Sequence, residues 1–272
     1  MANTLSDFSG TLVLVGAGKM GGAMLQGWLA LGLDPRKIAV VEPRPADEIA
    51  ALAARGVRIN GTVKDASVIV IAIKPQDAAT VVPTLKSLIG PGTLAVSIMA
   101  GKTLAFLQGA LGADSAIVRA MPNTPAAVGR GITVGAPNAR VSPAQRDIAH
   151  RLLAAIGAVE WVEDEALIDA VTAVSGSGPA YVFLLAESLA RAGAAAGLPA
   201  DLAARLARAT VSGSGELLHR SPLDAATLRQ NVTSPGGTTA AALGVLMADD
   251  GLDPLMEKAV AAATKRSREL AG

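Results

Sequence analysis

Apolar and polar positions divide the chain into two textures. From Thr11 to about Glu165, short continuous apolar runs alternate with helix-like segments. Leu12–Val15, Ile38–Val41, Val68–Ile73 and Leu94–Ile98 carry no polar alternation, the pattern of strands buried on both faces of a parallel sheet. Between them the spacing predicts helices over Met20–Leu31, Ala46–Arg55, Gln76–Ile89 and Leu104–Leu111. Strand and helix in turn predict a doubly wound α/β domain. Ala116–Arg119, Gly131–Ala136 and Val159–Val162 extend the same sheet, with Pro143–Ile156 as a further covering helix.

After Glu165 the strand-like runs stop. Ala-rich segments follow over Ala166–Val174, Ala180–Ala196, Ala200–Leu218, Ala225–Val232, Thr239–Ala248 and Pro254–Leu270, with Gly, Pro and Ser at the breaks. The fold class is therefore α/β: a doubly wound domain over residues 1–165, of Rossmann type where its first strand ends in a dinucleotide-binding turn, then an all-α domain over 166–272. Small side chains let helices approach closely, but each buries little area. A helical domain so poor in large anchors is expected to gain buried area against a second copy.

Composition narrows the function. The chain has 272 residues, enough for two modest domains, and a formal net charge of +1, without the basic excess of a nucleic-acid binder. Cysteine is absent, which removes a disulfide framework, a thiolate metal site and a cysteine nucleophile. His150 and His219 are the only histidines and sit far apart in sequence, so no metal site is expected. A mean hydropathy of +0.43 raises the question of a membrane. Yet the charge-free stretches Ala170–Ala186 and Gln230–Ala248 are broken by glycine and proline, short of the roughly 20 apolar residues of a spanning helix. No basic segment followed by an apolar one marks the N-terminus. A soluble cytoplasmic protein, binding neither membrane nor nucleic acid, is the expectation.

Gly16-Ala17-Gly18-Lys19-Met20-Gly21 follows a buried strand and opens a helix. In that context G-x-G-x-x-G is a dinucleotide turn: the first glycine makes the bend, the second admits the pyrophosphate, the third seats helix on strand. The bland alternative is a structural strand-to-helix turn with fortuitous glycines. Glu42, at the end of the second strand, stands where a carboxylate holds the adenosine ribose 2′-hydroxyl and disfavours a 2′-phosphate. Arg44, two residues on, could instead pair with that phosphate. The signals conflict between NADH and NADPH, and Glu42 tips the reading slightly to NADH. Near the other end, Thr233–Thr239 holds two glycines, a proline and four hydroxyls with no charge, directly before a helix. Consecutive backbone N–H groups in such a turn form an anion nest suited to a carboxylate. An ordinary helix cap would show the same residues.

Four further stretches, Ala72-Ile73-Lys74-Pro75, Met121-Pro122-Asn123-Thr124-Pro125, Ser175–Tyr181 and Asn231–Thr239, together with the glycine turn, resemble pyrroline-5-carboxylate reductase, the enzyme family that makes proline. The resemblance spans residues 16–239 and is most specific at Ser234-Pro235-Gly236-Gly237-Thr238-Thr239. It implies hydride transfer from NADH or NADPH to the cyclic imine L-1-pyrroline-5-carboxylate. It also implies that the substrate carboxylate rests on Ser234, Gly236, Gly237 and Thr238, and that Thr239 hydrogen-bonds the imine nitrogen as the catalytic residue. Gly16, Ala17, Gly18, Lys19, Met20, Gly21, Glu42, Arg44, the turn Ala72-Ile73-Lys74-Pro75 and Met99-Ala100 are the implied cofactor contacts. A homodimer through the helical domain follows from the resemblance, with a decamer of five dimers as the larger assembly. The chain departs from the family pattern at Glu42, where many members carry a small polar residue, so cofactor preference is not simply inherited.

Two other readings compete. A β-hydroxyacid dehydrogenase shares the domain plan but needs a proton-transfer group, a Lys early in the helical domain, and no Lys lies between Lys102 and Lys258. A non-catalytic dinucleotide sensor has no use for the Thr233–Thr239 nest.

Overall fold

β1 (Leu12–Val15), β2 (Ile38–Val41), β4 (Val68–Ile71) and β5 (Leu94–Ser97) are the continuous apolar runs of the sequence, and they lie side by side in parallel. The computed structural model describes residues 4–271. With β3 (Arg58–Ile59), β6 (Ala116–Met121), β7 (Gly131–Pro137) and β8 (Gly157–Trp161) they complete an eight-stranded sheet in the order β3-β2-β1-β4-β5-β6-β7-β8. All neighbours are parallel except β6 and β7. Chain order reverses direction across β1 and β4, which opens a crevice at their carboxyl ends.

Successive residues of each strand feed opposite faces of the sheet. Leu12, Leu14, Val40, Val68 and Val70 pack with Met24, Leu25 and Trp28 of α1 (Lys19–Ala30) on one side. Val13, Val15, Ile69 and Ile71 pack on the other with Val82 and with Leu107 of the helix Leu104–Leu111. Trp28, fully buried, satisfies its indole by donating to the Leu152 carbonyl at 2.8 Å.

The strand runs read from sequence coincide with β1 and β2, and two of the predicted helices are only partly α-helical. Ala46–Arg55 is α2 (Asp47–Ala50) followed by a 3-10 turn, Ala51–Arg55. Gln76–Ile89 resolves into a 3-10 turn, Pro75–Asp77, then α3 (Ala78–Val81), then a 3-10 segment, Val82–Leu88. Pro83 lies inside that segment; it has no N–H to donate and its ring clashes with the preceding turn, so a regular α-helix cannot run through it. β3, two residues long, is too short to register as a periodic run. Between β6 and β7 the chain turns through the 3-10 segment Thr124–Val128, where the Asn123 side chain accepts from the Ile132 N–H at 2.9 Å.

α4 (Leu104–Leu111) and α5 (Pro143–Leu153) cover the sheet, and α6 (Leu167–Val171) follows β8. The sequence texture changes at Glu165, whereas compactness changes later. One compact unit comprises the residues up to Gly176 and those from Ala263 onward; the other is Ser177–Ala262. The difference arises because Ile168 of α6 packs with Val134 and Ala136 of β7, so this helix completes the first unit. The π-helical turn Thr172–Gly176 continues it, with Ala173 fully buried.

The second unit holds α7 (Gly178–Ala195), α8 (Ala200–Arg220), α9 (Ala225–Asn231), α10 (Thr238–Leu246) and the start of α11 (Leu252–Ala271). Gly193 brings α7 close to α8, since a Cβ there would sit 3.3 Å from that of Ala203. No residue of α7 is buried, and Phe183 is 63 % exposed. The glycines and proline at 175–179 mark the start of α7, with Ser177 as its N-cap and Pro179 in its first turn, yet only Ser177 separates α7 from the π-helical turn before it. Leu167–Ala195 is consequently long and apolar enough to cross a membrane by length and composition, with Asp169, Glu187 and Arg191 along it.

Candidate active site

β1, β2, β4 and β5 run the same way, so the turns after them meet at one edge of the first unit. All four turns are tied edge to edge, the one after β5 through Ile98 donating to the Ile71 carbonyl at 3.0 Å. Gly16 donates to the Val41 carbonyl at 2.9 Å, and Ala72 donates to Val15 at 2.7 Å. Gly16 has φ +91°, and a Cβ there would lie 2.7 Å from the Ala72 carbonyl oxygen. Only glycine fits both demands. Gly21 is equally constrained, with its Cβ position 2.2 Å from the Gly16 oxygen, so α1 rides directly on the turn.

Gly18 differs. A Cβ at Gly18 would meet nothing within 4 Å. The chain itself leaves open space there, at the start of a helix whose first N–H groups have no side-chain cap. Helix geometry leaves those N–H groups without intrahelical acceptors, and the helix dipole adds partial positive charge. The residues present therefore fit a dinucleotide pyrophosphate: an uncapped amide cluster beside room for the anion.

Glu42 closes the far side of the turn. Its Oε2 accepts from the Ala17 N–H at 3.0 Å and its Oε1 from the Arg44 N–H at 3.2 Å. The Arg44 side chain is exposed. Ile73 and the exposed Lys74 extend from β4, with Pro75 opening the 3-10 turn. After β5, Met99 is buried and donates to the Ser97 hydroxyl at 3.3 Å, while Ala100 is exposed. Lys19 and Met20 occupy the first turn of α1. All the residues that sequence reasoning assigned to the cofactor thus lie at this edge or in the helix it opens.

The residues that the sequence resemblance assigns to the substrate form a separate cluster in the second unit. Pro235 and Gly236 make a turn closed by Gly237 donating to the Ser234 carbonyl at 3.0 Å, with Gly236 at φ +69°. Proline followed by a left-handed glycine is the pattern a type II turn selects. Upstream, the Thr233 hydroxyl donates to the Arg229 carbonyl at 2.7 Å and ties the turn to α9. Downstream, α10 starts at Thr238 with Gly237 as its N-cap and no side-chain cap. The N–H groups of Thr238, Thr239 and Ala240 therefore face outward from the helix start without intrahelical acceptors. Thr238 is exposed and Thr239 half-buried.

Two features were missed in the sequence. Asn60 grips the Glu42 backbone from the end of β3, and only its Asn-Gly context hinted at special geometry. Arg119, on β6 with its side chain 5 % exposed, pairs with Glu165 at 2.8 Å, and the same carboxylate oxygen accepts from the Leu104 N–H at 2.7 Å. Nothing in the spacing of residues 119 and 165 signals that contact. A cleft of about 510 Å³, lined by Pro137, Asn138, Ser142 and Arg146, lies elsewhere. It sits at the opposite edge of the sheet, beside a helix start already closed by the Ser142–Gln145 capping box. It has no part in the nucleotide site.

Two family models match the chain, one in each half. Residues 165–270 match the pyrroline-5-carboxylate reductase dimerisation family, and residues 11–101 match the coenzyme F420-dependent NADP oxidoreductase family. Pyrroline-5-carboxylate reductase of Pseudomonas aeruginosa is 42 % identical, over 96 % of this chain and 96 % of the relative. The Pisum sativum enzyme is 39 % identical over 98 % of this chain and 97 % of the relative. A solved structure of the Coxiella burnetii reductase superposes with a TM-score of 0.89 at 36 % identity, covering 97 % of this chain and 99 % of that one. The Plasmodium falciparum reductase, solved with NADP bound, gives 0.78 at 28 % identity, covering 96 % and 98 %. By sequence along nearly its whole length and by fold, the chain belongs to the pyrroline-5-carboxylate reductase family.

Proposed function

We propose that this chain reduces L-1-pyrroline-5-carboxylate to L-proline, the last step of proline biosynthesis, with NADH or NADPH as hydride donor. The observation that carries the reading is the uncapped start of α10 behind the Pro235-Gly236 turn, in a chain of this family. The nicotinamide supplies the hydride. The protein's contribution is to hold and polarise the imine. The backbone of Ser234, Gly236, Gly237 and Thr238 receives the substrate carboxylate. The Thr239 hydroxyl donates to the imine nitrogen, and C5 takes the hydride while the nitrogen ends as a secondary amine carrying one proton from solvent. As the hydride reaches C5 the nitrogen becomes strongly basic and takes that proton from water, so no strong protein acid is required.

Gly16, Ala17, Gly18, Lys19, Met20 and Gly21 hold the pyrophosphate, with Glu42 and Arg44 at the adenosine ribose. Ala72–Pro75 and Met99-Ala100 border the nicotinamide end. Residues 1–165 act as the dinucleotide-binding domain and 166–272 as the substrate and dimerisation domain. The match to the family's dimerisation region supports a homodimer through the helices; a ring of five such dimers is the larger assembly. The exposed apolar face of α7 is then covered by a second chain rather than by lipid, in a soluble cytoplasmic enzyme without nucleic-acid partners.

Loss of NAD(P)H absorbance with pyrroline-5-carboxylate is the direct test. Turnover with a β-hydroxyacid and NAD(P)+ instead would transfer the site to alcohol chemistry. Cofactor binding with neither turnover would leave a sensor. The absence of a Lys between Lys102 and Lys258 speaks against the alcohol reading.

A further inference from the structure

We infer that Asn60 is a positioning residue for cofactor choice: its side-chain amide fixes Glu42 so that the carboxylate selects a ribose 2′-hydroxyl over a 2′-phosphate. The inference rests on the placement of the adenosine ribose beside Glu42 proposed above.

Asn60 directly follows β3, and its N–H donates to the Val40 carbonyl at 2.8 Å. Its φ of +52° is the one positive value at a non-glycine among the described residues. That left-handed conformation is costly for most side chains and tolerated by asparagine. The turn it makes brings the amide against the end of β2. Oδ1 accepts from the Glu42 N–H at 2.9 Å and Nδ2 donates to the Glu42 carbonyl at 2.9 Å. Those are the two bonds a neighbouring strand would give, so the side chain continues the sheet after the β3 backbone has turned away.

With its backbone held on both sides, Glu42 presents its carboxylate in one place. Ala17 N–H holds one oxygen on the glycine turn and Arg44 N–H holds the other. Each carboxylate oxygen retains a second lone pair able to accept from a ribose hydroxyl. A 2′-phosphate would instead meet a like charge that is anchored and unable to swing aside. Freeing the backbone lets the carboxylate withdraw, which removes the discrimination. Asn60 is exposed, so its two bonds add little to global stability. Their effect belongs to specificity.

The test compares the full-length protein with Asn60→Gly, Glu42→Ser and the double variant. Glycine accepts the left-handed backbone, and thermal melting confirms that each variant folds. Calorimetry gives Kd for ADP-ribose and for its 2′-phosphorylated form without substrate, and kcat/KM for NADH and NADPH gives the same ratio during turnover. The parent chain should prefer the unphosphorylated forms. Asn60→Gly should reduce that preference about fivefold, with Glu42→Ser reducing it at least as much and the double variant no further than Glu42→Ser. An unchanged ratio in Asn60→Gly, or independent additive effects, overturns the role of Asn60 while leaving Glu42 in place. An unchanged ratio in Glu42→Ser removes Glu42 from the ribose and the inference with it, as does a parent preference for the phosphorylated ligands.

Discussion

Gly18 and Gly21 belong to one motif but are glycine for different reasons, and substitution separates them. At Gly21 a Cβ would overlap the Gly16 carbonyl, so Gly21→Ala must displace the turn or the helix and should lower Tm and cofactor affinity together. At Gly18 the space is open and the backbone has φ −69°, so Gly18→Ala should fold, at most losing the small preference for glycine over alanine at an N-cap. Its methyl group nevertheless occupies the approach to the amide cluster, and Kd for NADH, read by fluorescence titration, should rise about tenfold. Unchanged NADH binding in Gly18→Ala would place the pyrophosphate elsewhere. Thr239, proposed to polarise the imine, is the corresponding residue to test in the second unit. Thr239→Val keeps the shape and removes the donor, so kcat should fall about a hundredfold while NADH binding stays near that of the parent. A parent-like kcat would end its assignment as the polarising group. A pH effect away from the site also has a definite sign. The Arg36 side chain, and next the Arg36 N–H, hold the Asp34 carboxyl down at about 2 from its ordinary 3.8. A depressed folded pKa means that this contribution to stability is present above about pH 4 and lost as pH falls through about 2. Carboxyl carbon NMR of Asp34 titrating near 3.8 would contradict it.

Among the elements, strands buried on both faces were legible because a continuous apolar run of four residues has few other uses. The runs at residues 12–15 and 38–41 coincide with β1 and β2, and Leu104–Leu111 with α4. The dinucleotide turn was legible for the same local reason: its steric demands lie within six consecutive residues. Features built by long-range contact were not. The antiparallel pairing of β6 with β7 and the two-residue β3 leave no periodic trace. The Arg119–Glu165 pair joins residues from β6 and the segment before α6, and its energetics follow from burial rather than sequence. Breaking it from one side strands a nearly buried guanidinium and removes the acceptor of the Leu104 N–H. Glu165→Ala should therefore destabilise the chain by about 3 kcal/mol, whereas Arg119→Met with Glu165→Leu should cost much less. Urea unfolding measures both. Equal losses would mean that the attraction of the pair, rather than the stranded charge, governs stability.

At the scale of the whole molecule, the second unit is the part a single chain leaves unfinished. Val182, Phe183, Leu184 and Leu185 are consecutive and all exposed, although an amphipathic helix packed on its own core would hide part of such a run. Val245, Leu246 and Met247 at the end of α10 are exposed as well. So much contiguous apolar surface marks an interface, and the family's dimerisation region covers these residues. If the second copy supplies the missing burial, folding and association are linked. Tm should then rise with protein concentration, and light scattering at micromolar concentration should give at least a dimer. Phe183→Glu tests the same surface from the other side. A charge on a residue already 63 % exposed should leave a monomer's fold undisturbed, but it should dissociate a dimer that buries this face. A smaller species, a lower and concentration-independent Tm and loss of turnover are the expected results. A variant that keeps the parent's mass and Tm would show that the partner covers some other face.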